Sequence, residues 1–339
     1  MYDLKLDAVI TKLMILFSCN CVFLFIELIV MKIQPILQDK PPYQKFLYFL
    51  FIVFASLILI NLLGLLIAIP FYGRSFADSF SGGYDFSDAI TLSKLKYLQI
   101  VNQFAMFIVP VLLFAMFSGN SISGYLKLNT KAAPVSLLLA AGVIIAGLPL
   151  LNCITQWNAG MSFPKAFSGI EHWMRTSETL NDNLTTAFLG TTSAWGFVVN
   201  LLMMSILPAI GEELFFRGVV QRVFAEWFRN IHVAVIVTAF IFSAIHFQFF
   251  GFVPRFLLGM FLGYVFYWTG SLWAPIMVHF INNGLAVCVA FLAARGLVNQ
   301  NYNTFGSSDN VWVIVLSTLT ISGMMLLLYK FRRNNKALV

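Results

Sequence analysis

Charge is what this sequence has least of. Only 10% of its 339 residues are Asp, Glu, Lys or Arg, against 60% hydrophobic and 16% aromatic, and the mean hydropathy is +0.85. About a quarter of a soluble globular domain is charged, so that class is excluded. Cysteine is equally scarce: Cys19, Cys21, Cys153 and Cys288 lie in or beside apolar runs without CxxC spacing. That excludes a secreted disulfide framework and leaves them as small core or lipid-facing residues. The opening stretch MYDLKLDAVITKLMILF has no short apolar region ending at a small-residue cleavage site, so the first apolar run is expected to be a retained helix. No repeat at a solenoid period and no low-complexity segment is present, which removes repeat arrays.

What is abundant is long apolar runs. Bounded by charges, Pro or Gly, about nine of them are candidate spans: 10–31, 46–70, 98–118, 133–153, 194–222, 231–250, 254–269, 272–294 and 311–329. Several approach the ~20 residues a helix needs to cross ~30 Å of hydrocarbon. A closed barrel would instead alternate apolar and polar positions. The expected fold is all-α, a polytopic integral membrane protein of about eight to nine transmembrane helices. Gly259 and Gly263 give the seventh span a small-xxx-small face for close packing. Residues 71–96, 154–193 and 296–310 read as polar connections, with an interfacial helix near AFSGIEHWMRTSETL.

The net charge of +7 comes from basic residues in short connections and in the tail YKFRRNNKALV. It therefore reads as an orientation signal and not as a nucleic-acid surface. Alternating the spans puts 12 of the 21 basic residues on the side of the C-terminus, so the positive-inside rule favours N-out, C-in. The expected partners are membrane lipids. The location is a multi-pass integral membrane position, the plasma (inner) membrane if the source is bacterial.

Ionisable groups inside a bilayer are costly, which makes each of them a functional candidate. Here they cluster in one part of the chain. Glu212, Glu213 and Arg217 lie in AIGEELFFRGVVQ; His246 follows AFIFSAI; His279, Asn282 and Asn283 interrupt WAPIMVHFINNGLAV. Glu213 and Arg217 are four apart and can pair across one helical turn. Glu212, ~100° around the helix, then points elsewhere. His279 and Asn283 repeat the four-residue spacing, as do Phe242 and His246, which seats an aromatic ring against the imidazole's turn.

Each feature alone has a plain structural reading. Glu213 with Arg217 can be an ion pair fixing helix register, His246 a hydrogen-bonded core histidine, and His279 with Asn283 polar glue between helices. The conjunction points further: of four histidines, two sit in apolar spans after a paired Glu, while His172 and His232 sit in or beside polar connections. A buried carboxylate can serve as general base toward water, an imidazole can orient that water, and a His with an Asn can meet a developing oxyanion. Alternatively Glu212, His246 and His279 could ligate zinc. Both schemes predict peptide hydrolysis.

In order, EELFFR fits EExxxR, FSAIH fits FxxxH and HFINN fits HxxxN. The set resembles the CPBP intramembrane proteases, which include CAAX prenyl proteases and bacteriocin-processing or immunity proteins. The lead-in TGSLWAPIMVH is similar as well, and the likeness covers about 190 to 290. It implies a buried intramembrane cavity in which Glu212 activates water with His246, His279 and Asn283 stabilise the oxyanion, and Glu213, Arg217 and Phe242 support the site. Members act with a metal or without one, so the cofactor is zinc or none. The absence of HExxH on one helix and the poor zinc affinity of Asn favour none. The resemblance divides the chain into N-terminal helices and polar loops at 1–190, a catalytic core at 191–294, and a last helix with a basic tail at 295–339.

The expected activity is endopeptidase action on a membrane-embedded or lipidated peptide. The chain is not expected to be prenylated itself, because KALV holds no cysteine. A non-catalytic scaffold or immunity protein on the same fold is the alternative. A proton-coupled carrier is a third reading, disfavoured because the first four spans carry only Lys12 and Glu27 near one end and little else. One conflict stands: by helix rise His246 falls ~22 Å along its span and Glu212 ~27 Å along an opposed one. A shared site requires a tilted or over-long fifth span.

Overall fold

The protein was analysed as a computed structural model, which describes residues 35–73, 76, 85–86, 88–298 and 304–332. The expected first span at 10–31, with Cys19 and Cys21, lies outside the described residues. Among those described there are helices and no strands. Helix α1 (Pro42–Tyr72) starts on Pro42, whose missing N–H costs nothing at the first turn. Its Phe51, Phe54, Leu59 and Leu66 are exposed, as the lipid-facing stripe of a spanning helix is. Helix α2 (Ala89–Ser118) begins inside the stretch expected to be a loop. Asp88 caps it, accepting from the Thr91 N–H at 2.8 Å and the Thr91 hydroxyl at 2.7 Å.

Helices α3 (Pro134–Ala146) and α4 (Leu148–Ala159) meet at a 49° bend. Gly147 is the hinge: a Cβ there would stand 2.6 Å from the Val143 carbonyl oxygen, and Pro149 removes a donor two residues on. Helix α5 (Ser168–Leu189) covers, at greater length, the stretch where an interfacial helix was expected, with Ile170, Trp173 and Leu180 exposed.

Helix α6 (Ala194–Phe228) runs 35 residues, ~52 Å by helix rise and well beyond the hydrocarbon thickness. It carries two π-type turns, Leu202–Ile206 and Leu214–Val220, and ends where Arg229 turns left-handed at φ 51°. Helix α7 (Ile231–Ala244) is capped by the Asn230 side chain. Helices α8 (Phe252–Thr269), α9 (Trp273–Ala294) and α10 (Val311–Lys330) complete the described chain.

Six of these helices are long and apolar enough to cross a membrane, or seven if α3 and α4 count as one bent span. That is below the expected eight to nine. The shortfall has two sources: residues 10–31 are not described, and α7, with 14 residues, is too short to span alone. One apolar core surrounds α6, where Phe49, Phe114, Phe215, Phe216, Val219 and Phe242 pack together. A second joins α3, α8, α9 and α10 through Ala140, Leu262, Val265, Val278 and Leu328. The candidate site lies on the side of α6 facing α7, α8 and α9.

Candidate active site

The polar face of α6 is built in two layers, and the deeper one is closed. The Arg217 guanidinium donates to Glu213 Oε1 at 2.7 Å, with both side chains fully buried. Its other arm donates to the Gly259 carbonyl at 2.7 Å, and four residues along Gln221 Nε2 donates to the Gly263 carbonyl at 3.1 Å. Two i,i+4 rungs of α6 thus meet two i,i+4 carbonyls of α8. The expected small-xxx-small face makes this approach possible. A Cβ on Gly259 would lie 3.1 Å from Phe242 Cδ1, and one on Gly263 would lie 2.8 Å from Gln221 Oε1. Glu213 Oε1 also accepts from His279 Nδ1 at 2.8 Å, which ties α9 to the same knot. Arg217 further sits 5.0 Å from the Phe242 ring centre.

The upper layer is open. Glu212 faces a cavity of about 480 Å³ that is also lined by Phe242, His246, His279, Asn282 and Asn283. Its Oε2 stands 4.0 Å from His279 Nε2, beyond direct hydrogen bonding and within reach of a bridging water. His246 is not on the helix: α7 stops at Ala244, and His246 occupies the turn before Phe247, whose φ is 52°. There its Nδ1 meets the Phe242 carbonyl at 2.8 Å, so Nδ1 carries the proton and Nε2 is an acceptor. The Phe242 ring lies edge-on to both imidazoles, 5.3 Å from His246 and 6.0 Å from His279. Asn282 Nδ2 donates to Asn283 Oδ1 at 3.0 Å, which leaves the Asn283 amide donors for the cavity.

All eight residues singled out in the sequence are therefore brought together, and the conflict of depth disappears. The short α7 and the over-long α6 place Glu212 and His246 on one cavity. The geometry supplies no preformed zinc cluster. Among the described residues no group of three His, Cys, Asp or Glu side chains converges in a way that could hold a metal ion. In His246 and His279 Nδ1 is engaged by the Phe242 carbonyl and by Glu213, which leaves Nε2 of each ring toward the cavity.

The opposite wall was missed in the sequence. Leu148, Leu151, Asn152 and Thr155 of α4, Phe305, and Pro254 and Arg255 at the start of α8 close the cavity. Arg255 stands at the head of the apolar run PRFLLGMFLGYVFYWTG, so the rule that picks out intramembrane charges applies to it as well. The α4 wall has no comparable signal. A second cavity of about 650 Å³ adjoins the first, sharing Thr155, Gly251 and Arg255, and is lined by Arg175, Glu178, Thr179, Asp182, Thr185 and Gln248. Burial pushes the Glu178 and Asp182 carboxyls above the usual range. Glu178 also accepts the Phe250 N–H at 2.9 Å, and this pins α5 over the turn that carries His246.

Comparison with known proteins agrees with the motif reading. Residues 194–285 match the family model described as type II CAAX prenyl endopeptidase Rce1-like. The uncharacterized protein YpbD of Bacillus subtilis is 28% identical over 95 residues, covering 27% of this chain and 46% of that protein. The sporulation-killing factor biosynthesis protein SkfC of Bacillus subtilis is 28% identical over 191 residues, covering 53% of this chain and 34% of that protein. The chain thus spans less than half the length of either relative. No solved structure matches it.

Proposed function

We propose that this chain, whose 194–285 segment belongs with the CPBP-type Rce1-like proteases, is an intramembrane endopeptidase that hydrolyses a peptide bond in a membrane-embedded or lipidated substrate. The observation that carries the reading is the division of labour between adjacent carboxylates. Glu213 is spent on Arg217 and His279, while Glu212 faces the cavity with an acceptor nitrogen of His246 and the donors of Asn283 around it.

In this reading a water held between Glu212 and His279 gives its proton to the Glu212 carboxylate, and His246 Nε2 accepts the other O–H to aim the lone pair. The hydroxide adds to the scissile carbonyl carbon. The resulting oxyanion takes hydrogen bonds from the Asn283 amide and from His279 Nε2 when that ring is protonated. The C–N bond then breaks as the amine leaves with the proton held by Glu212. Glu213 orients the His279 ring, and Phe242 seats both imidazoles. The adjoining polar cavity is a route for water to a site that is otherwise walled by apolar side chains.

The test is cleavage of fluorogenic, prenylated and unmodified peptides by detergent-purified protein, as wild type and as Glu212→Gln, with and without a strong chelator. Cleavage by wild type that is lost in the variant and insensitive to chelation is expected. No cleavage of any peptide by folded wild type would favour a scaffold or immunity role on the same fold.

A further inference from the structure

Arg255 is a cation that the scheme above leaves unused, and it lines the cavity without the carboxylate partner that the fully buried Arg217 and the exposed Arg175 have. Arg217 is matched by Glu213 at 2.7 Å, and Arg175 by Glu171 at 2.7 Å. Arg222 lies over the Tyr125 ring, 4.3 Å from its centre. Arg255 is half-buried in the first turn of α8, and among the described residues no carboxylate lies within ion-pair distance of it. Its hydrogen bonds go to a neutral residue: Nη2 donates to Gln248 Oε1 at 2.6 Å and Nη1 to the Gln248 carbonyl at 3.4 Å. A guanidinium has five N–H donors in a planar fork, so most of this one's capacity is uncommitted.

Its position is specific. Arg255 lines both the Glu212 cavity and the adjoining polar cavity, at their junction. Space around it is kept open by Gly251, where a Cβ would stand 3.2 Å from Arg255 Nη2. The two acids whose charge reaches it, Glu178 and Glu212, belong one to each cavity. Glu178 is occupied with the Phe250 N–H, and Glu212 is the proposed base. A half-buried cation without a counter-ion is expensive to maintain, and here it faces the space a substrate must fill.

We propose that Arg255, oriented by Gln248, is a substrate-anion site: its free N–H donors take a carboxylate of the peptide while the scissile bond lies against Glu212. This rests on the endopeptidase reading and adds a specificity to it, namely preference for peptides with a negative group close to the cut. That group can be a terminal carboxylate or an acidic side chain. The planar fork binds either one bidentately.

The experiment uses full-length protein in detergent and three peptides of otherwise equal sequence: one with a free C-terminal carboxylate, one amidated with a Glu beside the scissile bond, and one amidated and neutral. Wild type is expected to show a KM roughly tenfold or more lower for whichever carboxylate peptide fits, since charge-assisted hydrogen bonds are the strong ones. Arg255→Gln should erase that difference by raising KM for the carboxylate peptide, and Arg255→Lys should keep part of it. The first two peptides tell a terminal carboxylate from a side-chain one. Equal KM values across the three peptides in wild type would overturn the proposal. So would a uniform fall in kcat for Arg255→Gln on all three, which would make Arg255 part of the chemistry instead. Binding of the same peptides to Glu212→Gln and to the Glu212→Gln, Arg255→Gln double variant, read by thermophoresis, separates this proposal from its premise. If wild type cuts nothing, carboxylate-selective binding that depends on Arg255 upholds the anion site while the protease reading fails. Binding blind to the carboxylate would overturn the anion site alone.

Discussion

Glu212 and Glu213 are the same residue type on consecutive positions of one helix, and they end in opposite circumstances. Glu213 sits in a closed layer where Arg217, His279 and, through Arg217, the Gly259 carbonyl fix its place. Glu212 looks into a cavity and has no contact shorter than the 4.0 Å approach of His279 among its described ion pairs. The ~100° between successive helical positions accounts for the split: one carboxylate falls on the α8–α9 seam and the other on the open side. A carboxylate spent on an arginine is a poor base, and one left in a cavity is a poor brace. In the proposed mechanism the doublet needs both members, one as base and one as brace.

The comparison is broken most severely by exchanging the two defects. Glu212→Gln should lower peptide hydrolysis by roughly 10²–10⁴-fold, the range a general base contributes, with thermal unfolding in detergent nearly unchanged. Glu213→Gln should do the reverse first, because it strips the counter-ion from a fully buried Arg217. Removing one partner of such a pair costs about 3–5 kcal/mol, to be read as a large drop in Tm or loss of monodisperse protein. If Glu213→Gln left Tm untouched and only slowed cleavage, the closed layer would be chemical and the contrast between the two residues would fail.

The three motifs were legible in the sequence because each is a four-residue spacing within one helix or one turn, where spacing alone decides the face. What was not legible is what depends on where a helix stops. His246 was expected on a helix and stands in the turn beyond Ala244, and it is this stop that brings it level with Glu212. The span count failed for a related reason, since an apolar run of spanning length, 231–250, contains a 14-residue helix and a break. Packing by Gly259 and Gly263 was readable from small residues four apart. That Arg217 and Gln221 would bond their carbonyls was not, because the register between α6 and α8 is set in three dimensions. The wall formed by α4 carries no chemistry in its sequence and enters the site only through the bend at Gly147.

That register offers a finer cut between the layers. Gly259→Ala would place a methyl 3.1 Å from Phe242 Cδ1 and 3.2 Å from the Ala239 Cα. Backbone cannot give way there as a flexible side chain can, so overpacking of about 1–3 kcal/mol is expected. If Phe242, which lies edge-on to both imidazoles, seats them as proposed, hydrolysis should fall as well. Gly263→Ala meets Gln221 Oε1 and Val235 Cγ1 instead; it should lower Tm while leaving kcat for the surviving folded protein close to wild type. Equal kinetic losses from the two alanines would mean that α7 and α8 move as one block and that Phe242 has no seating role of its own.

The smallest effect concerns the outer cavity, where burial holds the Glu178 and Asp182 carboxyls above their ordinary range. A carboxyl raised in the folded protein binds its proton more tightly folded than unfolded. Its contribution to stability is therefore complete below the ordinary carboxylate range, near pH 4, and is lost as the pH rises through the raised values. Glu171, whose carboxyl is held low first by the Phe163 N–H and then by Arg175, acts in the opposite sense and loses its contribution as the pH falls. Glu178→Gln with Asp182→Asn should thus flatten the decline of Tm on the upward side of pH 4 and leave the acid limb, set by groups such as Glu171, in place. A Tm profile measured in detergent that kept its full upward decline in the double variant would show that these two carboxyls are solvated in the folded protein, and the outer cavity would then be an open bay continuous with water and no partly shielded antechamber to the site.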